Sequence, residues 1–577
     1  MIKNKAVLVC CTILLIAIIA TVSINFGDDT PTQPIEEVFL GTLPVEPFTS
    51  ETMAILAADE ADGKLTLAFS TTETFHTDVL AIDIVASNPN ARIYYTTDGS
   101  APTVNSRLFT GPVSFVIHTG VTRGVVLRAI AVYDNQVSEP LTKSFFVGRE
   151  VDTRFDTLIF SVSTNPEYLF CHYNGIFVEG IIREEYIRNN PGHHIRPPSP
   201  ANFNLRGREA ERPVYIEVFS PDGERLFTQA AGLRTHGGWS RAQTHKSMRL
   251  IARREYSPDY GQFHFDFFPL EFAHDGTPID RYDILILRNG GNDRYHGIFR
   301  HELGSILARN AGFTAVSPVR PVSVFLNGEY YGLKWLQVRF NEQYMQRLFN
   351  TPTRNFDILG ISEWRFDTDD ERILYDLRHK NSFSFKDLND DDIFAEFESL
   401  VDIDNLLFYY AFQIFMGAED WPHNNLRRWR YTGPELGLTP ETDGRWRYIF
   451  FDLDWTLGLY GDDYTKPTFY RVLVMQDHRS PLLRNILTRQ DMQERFTEIM
   501  HHISDNVVNE ETVTETLHYL RSASRNEFTN AFYARMFPNW VTMDFIDYNH
   551  QNIINFARNR HRQIFADMEA FFNSINN

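Results

Sequence analysis

Residues 417–431, GAEDWPHNNLRRWRY, and 445–458, RWRYIFFDLDWTLG, decide how the C-terminal half of this chain folds. Leu426 to Thr432 reads as a strand. So does Arg445 to Phe451, rich in aromatic and β-branched residues. The intervening GPELGLTPETDG is dense in Gly, Pro, Asp and Thr, a turn composition. Pairing the two strands as a hairpin brings Asn425 and Asp452 out side by side at its open end. Asp420 lies just upstream in a short loop, and Asp454 follows close behind Asp452. Together they form a cluster of hard oxygen ligands, the kind that Mg²⁺ or Mn²⁺ with a bound phosphate requires.

Working outward, LILRNGGNDRYHGIFRHEL is a strand ending in Asn289, Gly290, Gly291, Asn292 and Asp293, then a helix with Arg300 early. Loops between strand and helix commonly hold functional polar groups. Asp293 fits either a ligand contact or a helix cap. In THKSMRLIAR, alternation places Lys246, Met248 and Leu250 on one face. A lysine among apolar residues needs a partner, and a nucleotide phosphate would serve; snorkelling to the sheet edge is the plainer alternative. Upstream, LRTHGGWSR has a Gly237–Gly238 turn where backbone can approach a ligand, flanked by Arg234 and Arg241 as further phosphate contacts.

The rest of the chain sets the frame. At 577 residues, two or three domains are expected. A formal net charge of −20 argues against a general nucleic-acid binder, and any polyanion site must be locally basic or metal-screened. Of three cysteines, Cys10 and Cys11 lie in an N-terminal apolar run and Cys171 is alone, so no disulfide framework or CxxC zinc site forms. Lys3 and Lys5 precede an apolar stretch from Ala6 to about Ile24, a signal peptide or membrane anchor over 1–25. The remainder is then expected outside the cytoplasmic membrane, anchored or secreted at the cell surface. Residues 26–64 read as a linker and 65–149 as a small all-β, Ig-like sandwich. Residues 153–577 read as one α+β unit, β-rich first and helical later. Asn327-Gly328 marks a hairpin, and Gly312 and Gly417 mark helix ends. FDTDDE (366–371) and NDDD (389–392) both precede helical patterns and read as caps rather than calcium loops.

Asp420 and Asn425 have the spacing of a protein-kinase catalytic loop, in which the Asp orients the acceptor hydroxyl and the Asn binds metal. Five motifs then carry a family resemblance: LRTHGGWSRAQTHKSMRL, LRNGGND, VFLNGEYYGL, EDWPHNN and YIFFDLDWTLG. The region from about Thr153 to Phe572 resembles the CotH kinase family, the spore coat protein H-type secreted kinases. The 65–149 stretch resembles the β-sandwich module attached to chitobiase and hexosaminidase-type enzymes, on Tyr94, Tyr95, Thr96, Thr97, Asp98, Gly99, Pro102 and Thr103. The first resemblance implies an atypical protein-kinase-like, two-lobed fold with a β-rich N-lobe and a helical C-lobe. It implies metal-dependent transfer of the ATP γ-phosphoryl to Ser or Thr of secreted or cell-surface proteins. By motif, Lys246 would pair the nucleotide phosphates, Asp420 would be the catalytic Asp, and Asn425 with Asp452 would bind metal. Asp454 is the alternative to Asp452, and Asn424 to Asn425. The second resemblance implies a spacer or a weak glycan contact.

One departure stands out. Where the family commonly has a Glu after the NGEYYG turn, as in LRE, this chain reads Leu336, Gln337, Val338. Glu342 and Glu302 are the candidate substitutes for orienting Lys246. Without one, the expectation shifts to a catalytically impaired pseudokinase acting as a cell-surface interaction protein. A polysaccharide-acting enzyme ranks last, because paired acid and base carboxylates in a sugar cleft explain the Asp cluster less well than a metal does.

Overall fold

A computed structural model describes residues 45–576 except 78, 117–120, 361–381, 462, 476–479 and 529–536. The expected membrane segment and the FDTDDE stretch lie outside the described residues. Among those described, no helix is long and apolar enough to cross a membrane. The chain divides into two compact units. One runs up to Arg154 and includes Asn327–Gly332; the other takes Phe155–Leu326, Leu333–Phe528 and the chain from Val541 onward.

The first unit contains a β-sandwich. Its main sheet is built on the antiparallel strands Arg92–Thr96, Arg123–Tyr133 and Leu141–Val147. Two-stranded sheets pair Leu67–Phe69 with Ile84–Ala86 and Val79–Ile82 with Val113–Val116. Phe69, Ile82, Phe115, Leu127, Phe145 and Val147 share one buried core. Part of the expected linker is instead a helix, Ser50–Ala61, with Thr49 Oγ1 accepting from the Thr52 backbone N–H at 3.1 Å. The local run MAILAADEA is made of strong helix formers behind a good cap, which outweighs the Pro- and Thr-rich surroundings.

The second unit begins with a closed seven-stranded barrel. Its strand order is Leu158–Ser163, Arg212–Phe219, Arg225–His236, Ser247–Ile251, Ile284–Arg288, Glu329–Val338 and Val319–Leu326. The last two strands meet at the expected turn, where Asn327 (φ 51°) and Gly328 (φ 85°) both take the left-handed conformation that a tight hairpin needs. Register fixes which side chains share a face. Arg234 pairs with Arg249, Arg249 with Ile286, and Ile286 with Gln337. Since side chains alternate along a strand, Arg234, His236, Ser247, Arg249, Ile286, Arg288, Trp335 and Gln337 line the outer face. Leu233, Met248, Leu250, Leu285, Leu287, Leu336 and Val338 alternate with them and fill the barrel; each is nearly or fully buried. Closing the sheet into a barrel leaves no edge between these strands.

The helical part follows. Helix Ile403–Phe415 is capped by Asp402, whose Oδ1 accepts from the Asn405 N–H at 3.0 Å. NDDD is a cap as expected: Asp390 Oδ1 accepts from the Asp392 and Ile393 N–H groups ahead of helix Asp391–Leu400. The hairpin that opens the sequence reading forms from Arg427–Tyr431 and Arg447–Ile449, with Phe356–Gly360 added on the other side of the first strand. The long C-terminal helix Met543–Asn576 crosses behind helix 403–415.

Candidate active site

The loop that carries Asp420 is held from three directions. Helix 403–415 is almost wholly apolar and buried, so its C-terminal carbonyls end inside the protein without water. Arg560, itself fully buried, supplies the missing donors: Nε bonds Phe415 O at 3.1 Å and Nη2 bonds Ile414 O at 3.2 Å. Arg471 Nη1 donates to Trp421 O at 2.7 Å, and Trp421 Nε1 donates to the Tyr409 hydroxyl at 3.0 Å. Glu419 is tied down by Lys466 at 3.2 Å and Arg471 at 3.4 Å. Asp420 therefore sits on a fixed platform with its carboxylate turned outward.

Register brings the acidic groups together as the hairpin reading requires. Arg427 lies opposite Ile449, so Asn425 and Asp452 leave the same end of the sheet. Asp420 Oδ2 accepts from Asn424 Nδ2 and from Asn425 Nδ2, both at 3.0 Å. Asn425 also hydrogen-bonds Asp452. Asn425 (φ 50°) and Asp452 (φ 56°) both hold the left-handed backbone conformation. Asn and Asp tolerate it better than other side chains, and such strain concentrates at functional sites.

Asp452 and Asp454 have different fates. Asp454 is 2% exposed and fully engaged: Oδ2 accepts from Arg288 Nη2 at 2.6 Å and from the Asn292 N–H at 2.9 Å, and Oδ1 accepts from Asn292 Nδ2 at 3.1 Å. Gly291 makes this approach possible. Its φ is +60°, and a Cβ there would stand 1.8 Å from Asp454 Oδ2. Asp452 shares the same Arg288 Nη2 at 2.8 Å but keeps 37% of its side chain open. Crowding by the surrounding protein, then the Asp454 charge, push its carboxyl up to about 7, with Arg288 opposing. Burial works against a charged Arg288, yet Asp454 and Asp452 outweigh it and hold its proton more tightly than usual.

This donor set bears on a metal ion. Among the described residues, no group of three or more His, Cys, Asp or Glu is spaced to hold one alone. Asp452 fits as a ligand, with an open face and negative charge that Arg288 only partly offsets. Asn425 fits beside it. Asp454 does not, because both its oxygens are spent. An ion held by Asp452 and Asn425 would complete its shell with water and phosphate oxygens, the habit of Mg²⁺.

The residues expected around the nucleotide lie elsewhere or are already engaged. Asp293 is buried; Oδ1 takes Arg300 Nη1 at 2.5 Å and the Gly297 N–H at 2.9 Å, while Oδ2 takes the Arg300 N–H at 3.0 Å. Of its two readings, the geometry is that of a cap on helix Arg300–Asn310. Arg234 Nε donates to Glu211 Oε2 at 2.8 Å. Arg241 donates to Gly237 O at 2.6 Å and Leu205 O at 2.9 Å. Lys246 Nζ donates to Arg241 O at 2.7 Å and Gln243 O at 2.9 Å and lies over the Phe203 ring, 4.6 Å from its centre. Burial lowers this amine to about 8. Lys246 alternates with Ser247 and so faces the barrel side, away from Arg249 and Arg288. The expected placement of Lys246 opposite the Asp cluster is thus not the one observed; it fastens the Gly237–Gly238 loop instead.

Gln337 has its own partner. His301 Nδ1 accepts from the Leu453 N–H at 3.1 Å, and the ring donates to the Gln337 side chain, whose own Nε2 has no partner. Burial, then Arg288, push His301 well below its usual range, so it is neutral. A neutral amide at 337 matches a neutral imidazole. Glu302 is on the next position, buried, with Oε1 lacking a hydrogen-bond partner. Burial raises it to about 8, with Arg288 opposing. Neither Glu302 nor Glu342 forms an ion pair with Lys246. Arg288, which holds both Asp452 and Asp454, is the member of the candidate site that the sequence reading passed over. The signal was an arginine closing an apolar strand, LILR, directly before the Gly-Gly loop.

No curated protein matches the chain. Residues 82–145 match the family described as Fn3 associated, in the β-sandwich. Residues 233–564, more than half of the chain, match the family described as CotH kinase protein, and the match takes in the Gly237–Gly238 loop, Arg288, Asp420, Asn425, Asp452 and Arg560. The chain belongs to the CotH kinase family.

Proposed function

We propose that this protein is a metal-dependent protein kinase that transfers the ATP γ-phosphoryl group to Ser or Thr of secreted or cell-surface proteins. The observation that carries the reading is the convergence of Asp420, Asn425 and Asp452 on one open end of a hairpin. Asp420, hydrogen-bonded by two amides, is placed to accept a hydrogen bond from the acceptor hydroxyl and to take its proton as the oxygen attacks. Asn425 and Asp452 would hold Mg²⁺ or Mn²⁺, which screens the phosphate charge when bound. Arg288 fixes the Asp452 carboxylate in direction. Phosphoryl transfer depends mainly on such positioning and charge stabilisation. The apolar N-terminal run supports export or anchoring on the outer side of the cytoplasmic membrane.

The test is incubation of the purified protein with labelled ATP and Mn²⁺, followed by phosphosite mapping. Asp420→Ala is expected to lower transfer by at least about 100-fold, with the circular dichroism spectrum unchanged. Full activity in that variant refutes the role.

A second reading, a pseudokinase acting as an interaction protein, is favoured by two observations: Arg288 already offsets part of the Asp452 and Asp454 charge, and Gln337 stands where a Glu is common. Calorimetry with ATP, with and without divalent metal, separates the two. Absence of binding under both conditions favours the pseudokinase.

A further inference from the structure

We infer that Arg249, Arg339 and Arg427 form the subsite for the phosphate chain of a nucleoside triphosphate, in place of Lys246. The inference rests on the phosphoryl-transfer reading for the identity of the ligand. Its geometry stands by itself.

Arg249 projects from the outer face of the barrel, in register with Arg234 and on the same side as Arg288. Arg339 follows directly on the end of the strand Glu329–Val338, two residues beyond Gln337. Arg427 reaches the same place from the hairpin: its Nη2 donates to Phe340 O at 3.4 Å, and its guanidinium lies 5.6 Å from the centre of the Phe451 ring. Phe340 immediately follows Arg339, so Arg427 stands beside the end of that strand.

No carboxylate pairs with these three cations as one does with their neighbour, although Glu342 acts on Arg339 and Arg427 from farther off. Arg234 is neutralised by the buried Glu211. Arg249 instead donates to the neutral His236 Nδ1 at 3.0 Å, and its own Nε is buried without a partner. Among the described residues, no carboxylate lies within ion-pair distance of Arg249, Arg339 or Arg427. All three are half-buried, neither sealed in nor free in solvent. Burial, then repulsion from Arg339, Arg241, Arg234 and Arg206, lowers Arg249 to about 9. Burial and Arg339 lower Arg427 to about 10, with Glu342 opposing. Like charges facing each other across a sheet destabilise it, and this protein carries a net charge of −20. Glu342 acts on Arg339 and Arg427 without pairing with either, so three arginines crowd together with less counter-charge than they carry, which makes an anion gap. Guanidinium forks match phosphate oxygens in pairs, and half-burial strengthens each contact.

The test uses the full chain and tripolyphosphate as the probe, in calorimetry without divalent metal. Arg339→Gln and Arg427→Gln are each expected to weaken binding at least about tenfold. Arg558→Gln, at an exposed arginine of the C-terminal helix paired with Glu510, is expected to leave it unchanged. In the unaltered protein, tripolyphosphate is expected to shield Arg339 and Arg427 from an arginine-selective reagent, read by mass spectrometry. That arm stands even when a variant fails to fold. ATP is expected to displace tripolyphosphate competitively. Wild-type affinity in both variants, equal labelling with and without probe, or displacement by a phosphoserine peptide but not by ATP each overturns the proposal. ATP binding here without transfer to any acceptor would instead remove the kinase reading and leave the subsite standing.

Discussion

Asp452 and Asp454 are two residues apart and chemically unequal, and the difference is made by Asn292 and Arg288. Asp454 spends its oxygens on protein donors; Asp452 shares one arginine and faces outward. Asp452→Asn is thus expected to weaken Mn²⁺ binding by at least about tenfold in calorimetry, since it removes the charge with the open face. The sequence could name both carboxylates but could not rank them, because the ranking depends on Asn292, far away in the chain. Glu302 gives a pH prediction. Its folded value of about 8 lies above the usual carboxyl value of 4.5. A raised carboxyl favours the folded state while protonated, so its contribution is full below about 4.5 and is lost as pH rises through 8. Glu302→Gln is expected to match the wild type near pH 5. It should unfold at a higher temperature by at least about 2 °C near pH 8, measured by calorimetric scanning. A constant difference across that range would refute the assignment.

At the scale of elements, alternation along strands decided what Lys246 does. The pattern Lys246, Met248, Leu250 correctly put three side chains on one face, and that face is the barrel side. Periodicity reports that residues share a face, not which way the face looks. The Gly290–Gly291 turn shows the opposite case, where a local signal had a tertiary cause. Gly291 is required by the Asp454 carboxylate that packs on it. Gly291→Ala is expected to cost at least about 2 kcal/mol, from positive φ and the clash together. Denaturant unfolding measures this, and a loss below about 0.5 kcal/mol would show that the carboxylate moves aside easily. The helix Ser50–Ala61 was obscured in the sequence because its capped, Ala-rich run lies within a stretch whose average composition is that of a spacer.

For the whole molecule, every residue assigned to the site belongs to the second compact unit. Removing residues 1–154 is accordingly expected to leave Mn²⁺ and ATP affinity at the wild-type level in calorimetry; loss of binding by a folded fragment would place part of the site in the first unit. The order of a β-rich part followed by a helical part was legible from patterning, as were the hairpins at Asn327-Gly328 and around 427–449. These are local matters: turn residues, caps and periodicity act within a few positions of one another. The sequence by itself therefore determined the elements, the family and the acidic group at 420, 425 and 452, which one hairpin register brings together. Only the tertiary structure decided that Arg288 holds Asp452 and Asp454, that Gln337 serves His301, and that Lys246, Arg234, Arg241 and Asp293 are spent on protein partners. Those outcomes depend on which strands close the barrel and which groups remain uncompensated once water is excluded, and neither is encoded in the spacing of residues along the chain.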